Sequence, residues 1–161
     1  MNLETYQTLA MRTKPHPDPD CDYLELAQIG MVGELGELAE LLKKARYHHK
    51  PIAPDDLLKE CGDLMWYLAV YADTHALSLG QFADAATQPT NLTPIASALA
   101  IANLLPQPNQ QGIADILRHL ATILHSHGFT VAQAAELNIA KLRRRYPAGF
   151  ELTAAQSHDS Q

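Results

Sequence analysis

Two pairs of carboxylic acids have the spacing that places side chains on one face of a helix. Glu34 and Glu37 are three residues apart, and so are Glu60 and Asp63. Residues three apart share a helix face, so four carboxylates converge if the two helices pack antiparallel. Hard divalent cations such as Mg²⁺ or Mn²⁺ prefer all-oxygen ligands of this kind. The pattern therefore favours a metal site over four separate solvated acids.

Glycines surround these acids. Gly30, Gly33 and Gly36 fall inside the first acid-bearing helix, and Gly62 falls inside the second. Each glycine costs a helix interior up to about 1 kcal/mol relative to alanine. A close approach by another helix or by a ligand is a physical reason to accept that cost. We therefore expect close contacts at these positions.

Helical periodicity runs along nearly the whole chain, and strand-like alternation is almost absent, which predicts an all-α fold. The predicted helices cover residues 3–13, 22–45, 54–74 and 78–86. In the second of these, the apolar stripe consists of Ala27, Met31, Leu35, Leu38, Leu42 and Ala45. A capping box of Ser78 and Gln81 is expected to begin the fourth helix.

The connecting segments suggest a single domain over residues 1–152. The proline-rich segment 15–20 predicts a rigid connector, and residues 47–53 predict a loop. The tail 153–161 is rich in glutamine, serine and alanine, which predicts disorder.

Part of the chain repeats. Residues 63–84 align with residues 115–136 at a constant offset, with Asp63 opposite Asp115. An internal duplication explains the match, and so does a chance alignment of amphipathic helices of similar composition. If the chain is duplicated, residues 22–86 form a catalytic copy. Residues 93–150 then form a degenerate repeat without counterparts of the other three acids.

Composition narrows the functional classes. The formal net charge of −6 argues against nucleic-acid binding, which needs a basic surface. Neither a signal peptide nor an apolar run of membrane-spanning length is visible, so no membrane partner and a cytoplasmic location are expected. The two cysteines, Cys21 and Cys61, form no zinc or disulfide motif.

The acidic motifs resemble a known family. The run Gly-Glu-Leu-Gly-Glu at 33–37, followed by Glu-Cys-Gly-Asp at 60–63, is similar to the signature of MazG-like nucleoside triphosphate pyrophosphohydrolases. The resemblance extends to Tyr6 and Gln7 near the start, and resumes at Asn138 and Lys141.

This resemblance implies an all-α, MazG-like helical bundle in which Mg²⁺, or alternatively Mn²⁺, is bound by Glu34, Glu37, Glu60 and Asp63. It implies hydrolysis of (deoxy)nucleoside triphosphates at the α–β phosphoanhydride, giving a nucleoside monophosphate and pyrophosphate. Glu37 or Glu34 is expected to activate the water. The residues expected to bind substrate are Asn138, Lys141, Lys44, Arg145, Tyr146 and Tyr67.

The chain also departs from the short form of that family, because the repeat stands between the motif and Asn138. A degenerate second copy would make the chain a pseudo-dimer, and assembly into a homo-oligomer such as a dimer stays open. Two alternatives remain for the function. One is a dUTPase-like or phosphoribosyl-ATP pyrophosphohydrolase, and the other is a non-catalytic helical module that binds cations.

Overall fold

The computed structural model describes residues 1–15, 21–105 and 107–149, and within these residues it contains helices and no strand. The six α-helices are α1 (Leu3–Met11), α2 (Tyr23–His48), α3 (Pro54–Thr74), α4 (Pro94–Leu104), α5 (Gln110–His125) and α6 (Val131–Arg145). Two short 3₁₀ helices, Leu79–Phe82 and Ala85–Thr87, follow α3. The predicted all-α class is confirmed.

Local sequence sets the helix starts. The Asp22 side chain accepts hydrogen bonds from the first-turn amides of α2, and proline stands in the first turn of both α3 and α4. Thr130 and Gln133 form a reciprocal capping box at the start of α6. These contacts satisfy amides that have no partner inside the helix.

The helices pack as two hairpins that share one core. The short connection between α2 and α3 makes them antiparallel neighbours, and α4 and α5 form a second pair. The pairs meet through α2 with α4 and α3 with α5, while α1 and α6 pack on α3. Side chains that are fully buried in this core include Leu38, Leu64, Leu68, Ile116, Leu117 and Leu120. On α2, the predicted stripe is buried from Ala27 to Leu42, whereas Ala45 is half-buried.

Two element predictions were wrong. Helix α2 continues to His48, beyond the predicted end at residue 45 and into the predicted loop 47–53. Its C-cap is His49, which has a left-handed φ of 53°. Residues 78–86 form 3₁₀ turns, not an α-helix, and Ser78 accepts from Gly80 N. Gln7 of α1 explains the second difference, because its amide group bonds both Leu77 O and Leu79 N and so fixes this segment from outside.

Some predictions lie outside the described residues, namely most of the connector 15–20 and the whole tail 153–161. Across the part of the chain that the structure describes, every helix is too short or too polar to cross a bilayer.

Candidate functional site

The α2–α3 hairpin brings three of the four predicted acids together. Glu34 and Glu37 of α2 and Glu60 of α3 each offer a carboxylate oxygen, and these oxygens lie within 4.8 Å of one another. Glu60 is buried, Glu34 is half-buried and Glu37 is exposed. The cluster therefore opens at one side, where a ligand can approach from solvent.

The fourth acid, Asp63, lies next to this group but faces α6. Its Oδ1 accepts a hydrogen bond of 2.9 Å from Asn138 Nδ2, and the Lys141 ammonium group lies 2.6 Å from Oδ1 and 2.5 Å from Oδ2. Asn138 is itself positioned by Tyr6, whose hydroxyl donates to Asn138 Oδ1 at 3.0 Å. Burial, followed by the Asp63 charge, raises the pKa of Tyr6 and keeps it a donor.

Gly62 makes this arrangement possible. A Cβ at position 62 would stand 2.9 Å from Asn138 Cβ and 3.1 Å from Ala134 O. Helix α6 therefore lies against bare backbone of α3, which brings its Asn138 and Lys141 to Asp63. Gly30 acts similarly, because a Cβ there would overlap the Tyr67 ring at 2.2 Å. The predicted close contacts are confirmed at these two glycines. They are wrong at Gly33 and Gly36, where an added Cβ would meet no atom of the described residues within 4 Å.

The Lys59 ammonium group lies next to three of the four predicted acids. Its ammonium nitrogen lies 2.8 Å from Glu60 Oε1 and 3.8 Å from both Glu37 Oε2 and Asp63 Oδ2. Partial burial works against its charge, yet the surrounding acids, with Glu60 first, raise the pKa of Lys59. The acids between α2 and α3 thus already attract one positively charged group, the Lys59 ammonium.

Burial and, after it, mutual repulsion act against the charged forms of the acids. Burial, then the charges of Asp63, Glu37 and Glu60, raise the pKa of Glu34 to about 7, although Lys141 acts in the opposite direction. Burial also raises the pKa of Glu60, and its buried Oε2 has no hydrogen-bond partner among the described residues. An orphaned buried carboxylate oxygen beside two further carboxylates fits a divalent cation, which satisfies that oxygen and offsets the repulsion.

A cleft of about 450 Å³ adjoins Glu34 and Asp63. Its wall is made by side chains from α2, α3 and α6 and from the segment that follows α1. The other residues lining it include Thr13, Trp66, Tyr67, Lys141, Arg145 and Tyr146. The cleft therefore combines two acids, two cations and three aromatic rings within reach of the cluster.

Most residues predicted to bind substrate line this cleft. Tyr67, Lys141, Arg145 and Tyr146 do so, and Asn138 lies just behind Asp63. Lys44 is not among the lining residues and pairs with Glu40 at 3.4 Å on the exposed side of α2.

Trp66 and Lys59 belong to the site although the sequence analysis assigned them no role there. Trp66 packs partly against the core and also forms part of the cleft wall, where its Nε1 donates to Thr13 Oγ1 at 3.0 Å. The spacing of Lys59 could have indicated its place, because it stands four residues before Asp63 and thus on the same helix face.

The second half of the chain carries no comparable cluster in the residues described. Asp115, the counterpart of Asp63, pairs with Arg118 and accepts a hydrogen bond from Gln111. The acids that could jointly hold a cation within the described ranges are Glu34, Glu37 and Glu60.

Comparison with known proteins adds no identification. No protein-family model matches the chain, and neither does any curated protein or solved structure. The function must therefore be inferred from the geometry of the site.

Proposed function

We propose that the protein is a Mg²⁺-dependent hydrolase that cleaves (deoxy)nucleoside triphosphates between the α- and β-phosphates. The observation that carries this proposal is the convergence of Glu34, Glu37 and Glu60 within 4.8 Å at the edge of a cleft that also presents Lys141 and Arg145. The carboxylates suit a divalent cation, and the two basic side chains suit the phosphates that such a cation accompanies.

The chemistry of the cleft also suits a nucleotide rather than a free phosphate. Trp66 and Tyr67 are in edge-to-face contact, with ring centroids 4.9 Å apart, and Tyr146 lies in the same wall. Aromatic walls of this kind bind the flat, partly apolar face of a nucleobase. The cleft thus offers charged side chains to the phosphates and their cation, and aromatic side chains to the nucleobase.

We assign cation binding to Glu34, Glu37 and Glu60, with Asp63 as the fourth expected ligand. A bound Mg²⁺ supplies Lewis acidity and charge neutralisation at the phosphates. Lys141 adds a positive charge next to Asp63, and Asn138 keeps Asp63 oriented.

Between the two acids of α2, we assign the proton-accepting role to Glu34. Glu34 lines the cleft in which the substrate would lie, so its carboxylate is the one within reach of a water molecule beside the phosphates. Glu37 lies at the exposed side of the cluster and completes the ligand set.

We further propose that the fold is a MazG-like bundle built as a single-chain pseudo-dimer. The reciprocal packing supports this idea. Helix α6, which follows α5, packs on α3, while the 3₁₀ segment that follows α3 packs on α5. In the proposed duplication, α4 corresponds to α2 and α5 corresponds to α3. Each of these helices also contacts its own counterpart, α2 with α4 and α3 with α5. When a two-fold axis relates two halves, the last segment of each half can pack on the other half, as α6 and the 3₁₀ segment do here.

The decisive experiment is a nucleotide panel with Mg²⁺ in which pyrophosphate and orthophosphate release are followed separately. We expect pyrophosphate with at least one canonical or modified triphosphate. The panel includes dUTP and phosphoribosyl-ATP, so that it separates the related hydrolase activities. Release of orthophosphate alone would contradict cleavage at the α–β bond.

Substitutions of acids inside and outside the cluster test whether the activity belongs to this site. We expect Glu60→Gln and Glu37→Gln to reduce turnover by at least about 100-fold, because each removes a charge from the cation site. Glu40→Gln is the control, since Glu40 lies one turn further along α2 and pairs with Lys43 and Lys44. Full activity in both site variants would refute the assignment of this site. Absence of pyrophosphate and orthophosphate release from every nucleotide with the unaltered protein would favour a non-catalytic module.

A further inference from the structure

An exposed stripe along α2 has the spacing of a helix–helix seam, but none of the described helices covers it. Its members recur at alternating steps of four and three residues, which is the period of a coiled-coil contact. This α2 stripe consists of Glu25, Ile29, Val32, Gly36, Ala39 and Lys43. All six are exposed, and Ile29 and Val32 keep 66% and 48% of their surface accessible.

The stripe borders an apolar groove. Val32, Gly36 and Ala39 form one wall of a depression of about 410 Å³, and Ala98 and Leu99 of α4 belong to the other. Leu99 is 62% exposed. Large apolar side chains concentrated at one groove are the usual mark of a protein contact.

We propose that this groove holds a second copy of the same chain, with the two α2 helices packed antiparallel about a two-fold axis. The stripe is complementary to itself in that orientation. When Val32 lies opposite the partner's Gly36, Ile29 lies opposite the partner's Ala39, and Glu25 lies opposite the partner's Lys43. Each large side chain thus meets a small one, and each end charge meets its opposite.

A parallel arrangement has no such complementarity. It would place Glu25 beside Glu25 and Lys43 beside Lys43, and like charges at an interface oppose association. It would also place Val32 against Val32 and leave Gly36 facing Gly36. A two-fold antiparallel contact is the isologous type that closes as a dimer.

Gly36 has a specific part in this contact. A Cβ at position 36 would meet nothing within 4 Å among the described residues, so their packing does not require a glycine here. Opposite Val32 of the partner, a missing side chain leaves the space into which the valine packs.

The contact leaves the acidic cluster open. Glu34 and Glu37 lie on the other flank of the buried face of α2, so a partner on the stripe does not cover them. The dimer therefore does not depend on the proposed catalytic activity, and each can be tested without the other.

Charge reversal gives the sharpest test on the full-length chain. Sedimentation velocity over a range of concentrations should show a dimer for the unaltered protein. Glu25→Lys and Lys43→Glu should each weaken the dimer about tenfold or more, and the double variant should recover most of the affinity, because the two opposite pairs form again with exchanged signs. Lys44→Glu, one residue off the stripe, is the control and should leave the dimer unchanged.

A steric test uses the two open glycines of α2. Gly36→Gln should abolish the dimer, whereas Gly33→Gln should not. A Cβ at either position would meet nothing within 4 Å among the described residues, and only Gly36 is on the stripe. Glutamine favours a helix over glycine, so both variants should stay folded by circular dichroism. A monomeric unaltered protein, equal effects at the two glycines, or a double charge variant as weak as the single ones would overturn the proposal.

Discussion

Lys141 Nζ lies 2.6 Å from Oδ1 and 2.5 Å from Oδ2 of Asp63, so that one ion pair connects α6 to α3 at the edge of the acidic cluster. Asp63 is buried and Lys141 is half-buried. The pair gives the cluster a fixed neighbour and places a cation at the wall of the cleft.

Removing Lys141 should therefore destabilise the fold as well as the site. We expect Lys141→Met to lower the free energy of unfolding by about 2 kcal/mol, because Asp63 keeps a buried charge without its cation. Urea denaturation measures the change. Lys44→Met is the control, since Lys44 forms an exposed pair with Glu40. Its effect should stay below about 0.5 kcal/mol, and equal losses in the two variants would contradict the special role of the Asp63 pair.

The raised pKa of Glu34 predicts a pH dependence of stability. The folded-state value of about 7 exceeds the ordinary 4.5, so the stability that Glu34 contributes is complete below about pH 4.5 and is lost as the pH rises through 7. In metal-free buffer, unfolding free energies of the unaltered protein and of Glu34→Gln should diverge by about 1 kcal/mol across this window, with solvent screening the half-exposed group. The unaltered protein should be the one that loses stability, and parallel profiles would count against a raised pKa.

Lys59 should compete with the divalent cation. Its ammonium group lies within 4 Å of Glu37, Glu60 and Asp63, so an entering cation must displace it. Lys59→Gln should tighten Mn²⁺ binding by about fivefold to tenfold, because one positive charge leaves the site. Titration calorimetry with Mn²⁺ measures this change, with Lys44→Gln as the control. Unchanged or weaker binding in Lys59→Gln would place the cation elsewhere.

Gly62 should tolerate no side chain. A Cβ there would approach Asn138 Cβ to 2.9 Å and Ala134 O to 3.1 Å, so Gly62→Ala should destabilise the protein by about 1–3 kcal/mol. Gly33→Ala has open space and should stabilise α2 by up to about 1 kcal/mol through helix propensity. Thermal unfolding of the two variants gives opposite shifts if α6 lies on bare backbone of α3.

Local rules explain the parts of the fold that the sequence analysis predicted well. The apolar stripe of α2 and the proline-led start of α3 follow from side-chain periodicity and cap chemistry, which act within a few residues. The α-helix predicted at residues 78–86 was wrong because a distant contact overrides the local signal there. Ser78 and Gln81 have the spacing of a capping box, but Gln7 bonds the backbone on both sides of Ser78 from a distant helix.

The sequence by itself determined that Glu34 and Glu37 share one helix face and that Glu60 and Asp63 share another, because a three-residue step is a property of the helix alone. Only the tertiary structure decided that three of these acids meet, while Asp63 is held by Asn138 and Lys141 of α6. It also decided that Lys59 lies among them and that Trp66 belongs to the cleft. Such partnerships depend on how whole helices are placed against each other, and the packing of the entire core sets that placement.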